Sequence, residues 1–157
     1  MPTLRLTTLI HAPAQRVFDL SRSISLHKRS MDRYDERAIA GKTSGLINEG
    51  EYVTWQAKHL GKTRRFTSRI THMRPPDFFR DEMTAGDFRS FHHEHHFQAI
   101  ENGTVMMDIL HFETPYGWLG KLLNRLYLES YLRKMIVQRN QLIKQYAESD
   151  AWKVLLE

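Results

Sequence analysis

The run His92-His93-Glu94-His95-His96 packs four imidazoles and a carboxylate into five consecutive positions. Side chains alternate between faces on an extended strand. His93 and His95 therefore share a face with Phe91 and Phe97, while His92, Glu94 and His96 share the other. The flanking aromatics turn the His93/His95 face inward. Asn102-Gly103 is a strong hairpin signal, since both residues tolerate positive φ. It brings Asp108, with Met106, Leu110 and Phe112, onto the adjacent strand facing the histidines. A carboxylate beside imidazoles orients them and raises their pKa. Three readings are open: a polar patch on a cavity wall that anchors a ligand or moves protons, a buried network that pins strand register, or a metal held by His93, His95 and Asp108.

The metal reading finds little other support. The chain has no cysteine, which excludes thiolate ligands, disulfides and cysteine nucleophiles together. Gly86 followed by His93-x-His95 approaches a cupin pattern, but the next carboxylate arrives only at Glu101, beside the turn. His92-x-Glu94 resembles part of a zinc deaminase motif whose other ligands are cysteines. The expectation is no metal and no cofactor. Ala40-Gly41-Lys42-Thr43 looks like the end of a phosphate loop, yet Glu36 stands where its first glycine belongs. There is no G-x-S-x-G elbow and no H-E-x-x-H, so nucleophilic and zincin catalysis lack a basis. Asn102-Gly103-Thr104 is read as a turn, not a glycosylation site.

The elements that must position these residues follow from patterning. Residues 3–10 read as a strand, and Pro13 opens a short helix over 13–21. Ser23 or Ser25 caps a second short helix reaching about Met31. Six strands follow, near 35–40, 49–60, 62–73, 78–85, 88–100 and 103–114, parted by turn signals such as Leu60-Gly61-Lys62 and Arg74-Pro75-Pro76-Asp77. Val53, Trp55 and Ala57 alternate with Thr54, Gln56 and Lys58, so the sheet is covered on one face only. Pro115-Tyr116-Gly117 ends it. Leu119, Leu123, Tyr127, Tyr131, Met135, Leu142 and Tyr146 then mark one long helix from about Trp118 to Tyr146, the one element able to cover the sheet. Trp55, Tyr127 and Tyr131 are candidates for lining a cavity beneath it, with ordinary core as the alternative. Arg69 and Arg125 could meet an acidic head group at the mouth, with solvated surface as the alternative.

At 157 residues, with 41% hydrophobic and 26% charged residues, the chain fits one folded domain, with a core over about 3–146 and a tail over 147–157. The net charge is +5, but the cations are dispersed, as at Lys62, Arg64, Arg65 and Arg133, Lys134. This argues against nucleic acid as a partner. No stretch reaches the roughly 18 apolar residues of a membrane span, and the N-terminus does not read as a signal peptide. A cytoplasmic protein is expected.

Specific residues carry a family resemblance. Ile10-His11-Ala12-Pro13 followed by Val17-Phe18 resembles the I-x-A-P-x-x-x-V-F opening of the START-like, polyketide cyclase–dehydrase and birch-pollen-allergen superfamily. Arg74-Pro75-Pro76-Asp77-Phe78-Phe79 resembles its P-P-x-x-F passage. The strand Phe88-Arg89-Ser90-Phe91-His92-His93-Glu94-His95-His96-Phe97 resembles one bacterial branch labelled "cell division inhibitor" or ligand-binding cyclase, as does Thr104 to Asp108 with Pro115-Tyr116-Gly117. The resemblance implies an α+β helix-grip fold: a curved seven-stranded antiparallel sheet, two short helices after the first strand, and a long C-terminal helix across the concave face. It also implies a hydrophobic small-molecule ligand, a lipid or polyketide, held between sheet and helix. His93, His95, Asp108, Trp55, Phe91, Phe97, Tyr127 and Tyr131 are the candidate ligand-binding residues. The alternatives are a cyclase or dehydratase using His93, His95 and Asp108 as acid–base groups, and a regulatory interaction protein, which would need an exposed apolar patch.

Overall fold

The computed structural model describes residues 3–156, and the side chains of all of these except residues 120 and 123–125. The chain runs β1 (Thr3–Ile10), α1 (Ala14–Ser21), α2 (Ile24–Ser30), β2 (Arg37–Gly41), β3 (Tyr52–His59), β4 (Lys62–Arg74), β5 (Phe78–Ala85), β6 (Ser90–Ile100) and β7 (Gly103–Glu113). Helical segments α3 (Gly117–Leu123) and α4 (Glu129–Ala147) follow, then the short α5 (Lys153–Leu156). The strands form one seven-stranded sheet in the order β1-β7-β6-β5-β4-β3-β2. Every pairing is antiparallel. This is the helix-grip α+β fold. Two register shifts between β4 and β5 act as bulges, one skipping Thr84 in β5 and one skipping Thr71 in β4, and bulges bend a sheet and increase its twist.

Local chemistry explains the joints. Ser23 caps α2 by accepting from the Leu26 amide, satisfying a donor that the first helical turn leaves free. Leu60 and Gly61 both have positive φ and form the two-residue β3–β4 turn, a conformation that suits the twist of the strands it joins. The β6–β7 hairpin differs from expectation. Its loop is Glu101-Asn102, and neither Asn102 nor Gly103 has positive φ. Glycine is needed at 103 because a Cβ there would run into the carbonyl oxygen of Ile10.

The inward face of the sheet carries Val53, Trp55, Ala57, Ile70, Phe79, Phe97, Met106 and Leu110, all buried. Leu132, Ile136 and Ile143 of α4 are buried as well. The long helix is not one regular element: a π-helical turn, Asn124–Leu128, separates α3 from α4. Its wider winding shifts the helix face by about one residue. The stripe read as core splits accordingly. Leu119 and Tyr127 of that stripe are exposed, as are neighbouring Trp118, Leu122 and Leu126, while Leu128, which the stripe did not include, is buried with Leu132 and Ile136. The segment read as a tail packs back on the body. Trp152, Leu155 and Leu156 lie against the main core, and the Arg16 guanidinium sits 4.2 Å above the Trp152 ring. Among the described residues, no helix is long and apolar enough to cross a membrane.

Candidate functional site

Between the concave sheet and α4 lies a cavity of about 400 Å³. Ile24, Val53, Trp55, Ile70, Leu132 and Ile136 supply apolar wall, and exposed Leu60, Arg65 and Tyr116 mark its open side. Its polar part is built by Ser68, Asp81, His93, His95 and Arg139.

Strand register explains the polar cluster. His95 pairs with Phe79 on one side and Asp108 on the other, and His93 pairs with Asp81 and Leu110. The short contacts run diagonally: His93 Nε2 to Asp108 Oδ1 at 2.8 Å, and His95 Nε2 to Asp81 Oδ2 at 2.6 Å. The rings of Phe79 and His95 stack at 4.0 Å, and those of His95 and His93 at 3.8 Å. From α4, Arg139 donates to His95 Nδ1 at 3.1 Å, to Asp108 Oδ1 at 3.0 Å and to Asn140 Oδ1 at 2.8 Å. Asn140 Nδ2 donates to Asp108 Oδ2 at 2.7 Å. Ser68 donates to Asp81 Oδ1 at 3.1 Å.

The proton positions follow. A guanidinium only donates, so His95 Nδ1 accepts from Arg139 and Nε2 carries the proton it gives to Asp81. Asp108 accepts from Arg139, Asn140 and His93, which places the His93 proton on Nε2. Burial raises the Asp108 carboxyl, but the Arg139 charge and the His93 hydrogen bond outweigh it and hold the group well below its usual range. Burial acts likewise on Asp81, yet the hydrogen bond from His95, helped by that from Ser68, brings the carboxyl down to about 2. For His93 the expected upward shift is reversed. Burial, aided by neighbouring His95, pushes it down to about 4 despite Asp108. Desolvation of the imidazolium exceeds the pull of a carboxylate already engaged by Arg139.

The structure divides the candidate residues. His93, His95, Trp55, Phe91 and Tyr131 line the cavity. Asp108 is 1% exposed and stands behind the histidines, outside the lining. Phe97 is also outside it, packed between Phe18 and Phe79 at 5.4 and 6.0 Å, because α1 covers that end of β6. Tyr127 is outside it too: it is exposed and stacks on Tyr131 at 6.1 Å, turned away by the π-helical turn. Arg69 lies on the outer face, donating to the Gly50 carbonyl at 2.6 Å, and the Arg125 side chain lies outside those described. His92 stacks near His111 at 4.5 Å, on the sheet face away from the cavity.

Three members escaped the sequence reading. Asp81 alternates in phase with Phe79 on β5, a polar residue at a core position. Arg139 falls in the four-residue series between Met135 and Ile143, and Asn140 adjoins it. Polar residues at apolar positions of the helix were the available signal. Asp81, His93 and His95 also bring three potential ligand atoms within 4.8 Å of one another, a two-histidine, one-carboxylate set. The Arg139 bond opposes its use by a cation, because it keeps the proton of His95 on Nε2, the atom facing Asp81.

Residues 10–136 match the model of a family described as polyketide cyclase / dehydrase and lipid transport. The chain belongs to that family. Among solved structures similar in fold to this family member is TTHA0849 from Thermus thermophilus, with a TM-score of 0.72 and 19% identity over 94% of this chain and 100% of the other. CV1439 from Chromobacterium violaceum gives 0.72 at 13% identity, over 94% and 99%. The major latex-like protein 151 of Panax ginseng gives 0.69 at 12% identity, over 94% and 98%. At such identities the likeness extends to the fold. No match was found among curated protein sequences.

Proposed function

We propose that the protein binds or carries a hydrophobic small molecule in the cavity between sheet and α4. One observation carries this reading: a largely apolar cavity of about 400 Å³ ends in a hydrogen-bonded polar cluster. Ligand sites commonly have this size and this mixture of apolar wall and few polar groups. The family description, with its mention of lipid transport, supports the same reading. An acid–base enzyme is less well supported. His95 uses both ring nitrogens on protein partners, Asp108 is enclosed, and His93, lowered to about 4, is a weak base.

The test is native mass spectrometry for a co-purifying apolar mass, together with titration by the neutral fluorophore N-phenyl-1-naphthylamine. Ala57, buried and on the cavity wall, supplies the control. Ala57→Phe should lower probe affinity at least tenfold while circular dichroism stays native-like. Unchanged probe binding in that variant would sink the cavity reading.

An interaction protein is the second reading. Its supporting observation is the exposed run Trp118, Leu119, Leu122 and Leu126, which lies in the chain between the cavity-lining residues Tyr116 and Leu128. Light scattering of wild type and Leu122→Glu tests it: a change in mass between the two supports a protein contact there.

A further inference from the structure

The polar cluster constrains what the proposed ligand can place against it. Two carboxylates, Asp81 and Asp108, face one guanidinium, Arg139, which already gives bonds to Asp108, His95 and Asn140. The Arg139 bond occupies the Nδ1 lone pair of His95 and so leaves that ring neutral, and burial keeps His93 neutral at pH 7.5, so the enclosed cluster carries a net charge of −1. Glu36, also on the cavity wall and 6% exposed, adds a further carboxylate beside His27. Among the described residues, His93 Nδ1 has no protein partner, although His93 lines the cavity and its Nε2 is held by Asp108. That nitrogen is a hydrogen-bond acceptor offered to the cavity. Asp81, partly exposed there, has further lone pairs to offer.

Resting on the binding reading above, we infer that the cavity selects an apolar molecule whose buried head is an uncharged hydrogen-bond donor, a hydroxyl or phenol, over one ending in a carboxylate. A hydroxyl completes the acceptor left open on His93. A carboxylate brings no donor and adds an anion beside two already enclosed, an arrangement a low-dielectric site penalises. The other arginines on the cavity wall do not reverse this. Arg22 is paired with Asp19 at 2.8 Å and Arg64 with Asp87 at 2.8 Å, while Arg65 is exposed to solvent and bonds Gln56 at 3.2 Å.

Three ligands sharing one alkyl chain separate the possibilities: 1-dodecanol, methyl dodecanoate and dodecanoate. Each is titrated below its aggregation limit at pH 7.5 against bound N-phenyl-1-naphthylamine. The alcohol should displace the probe at a concentration at least tenfold lower than dodecanoate and several-fold lower than the ester. His93→Phe should narrow the alcohol–ester difference. Because that variant also removes the donor to Asp108, the wild type supplies a second readout. In histidine-selective ¹⁵N spectra, 1-dodecanol should shift the Nδ1 resonance of His93 and methyl dodecanoate should not. Failure of the probe or of all three chains to bind removes the cavity reading, and this inference with it. Probe binding with dodecanoate equal to or better than the alcohol overturns the head-group inference alone. So does dodecanoate binding that is lost in Arg65→Ala, which would place the head at the opening.

Discussion

Arg139 donates to His95 Nδ1 at 3.1 Å, and this bond from helix to sheet decides which nitrogen of His95 carries its proton. The same guanidinium holds Asp108, which holds His93. One residue of α4 thereby orients both imidazoles of β6 and ties the long helix to the middle of the sheet.

Removing Arg139 should therefore cost more than an ordinary core truncation. Arg139→Leu leaves Asp108, 1% exposed, without its cation, and breaking one side of such a buried pair costs about 3–5 kcal/mol. The double variant Arg139→Leu/Asp108→Leu, which removes both charges, should recover part of that loss. Urea unfolding of wild type, both single variants and the double variant measures the coupling. Simple additivity of the single losses would show that the pair is not energetically linked.

Acid should destabilise the protein in two stages. The folded pKa of His93, about 4, lies below its ordinary 6.5, so the unfolded chain takes up that proton first as pH falls. The stability contributed by the neutral ring is complete above pH 6.5 and declines down to about pH 4, by about 3 kcal/mol in all. Asp81 acts lower, losing its contribution as pH falls from 3.8 toward 2. His93→Gln keeps a donor toward Asp108 but does not titrate. Thermal melts across pH 4–6.5 should be flatter for this variant than for wild type, and parallel curves would remove His93 as the cause.

The fold was largely legible in the sequence because strands of alternating residues in a one-sided sheet announce both their ends and their faces. The seven strands fall close to their expected positions, and His93 and His95 share the inward face as their spacing requires. The site was less legible, because Asp81 and Arg139 come from positions that pattern reading treats as apolar. Asp81 follows Phe79 in a strand taken as core, and Arg139 interrupts a four-residue stripe of hydrophobic residues. The π-helical turn at Asn124–Leu128 was hidden for a different reason. Apolar residues on several sides of that stretch fit more than one helix face, so periodicity alone did not reveal the shift that turns Tyr127 outward.

Tyr131 joins the helix to the sheet at the cavity wall. Its hydroxyl lies 2.8 Å from His59 Nδ1. Burial, and then neighbouring Tyr34, raise the phenol to about 12, so it remains a donor. Burial lowers the His59 pKa despite Glu36, leaving an acceptor at neutral pH. Tyr131→Phe should cost about 0.5–1.5 kcal/mol, the usual worth of one such bond. If the contact also restrains ligand exchange, stopped-flow dissociation of N-phenyl-1-naphthylamine should quicken several-fold. A lower melting temperature with an unchanged off-rate would confine Tyr131 to a structural role.

Zinc offers the sharpest test of the proton assignment at His95. Asp81, His93 and His95 bring three potential ligand atoms within 4.8 Å of one another, and a three-residue set suffices for catalytic zinc. Binding through His95 Nε2 would require the proton to move to Nδ1, where Arg139 now donates. Two donors would then face each other in a buried place, next to a fixed positive charge. Untagged wild-type protein should consequently take up well under one equivalent of zinc at pH 7.5 after dialysis, measured by elemental analysis. Arg139→Gln can present its carbonyl oxygen to an Nδ1 proton and removes the charge, so this variant should bind zinc more tightly, with the gain abolished by adding His93→Ala. Stoichiometric zinc in the wild type, lost on His93→Ala, would instead show that Arg139 moves aside and that the cluster is a metal centre.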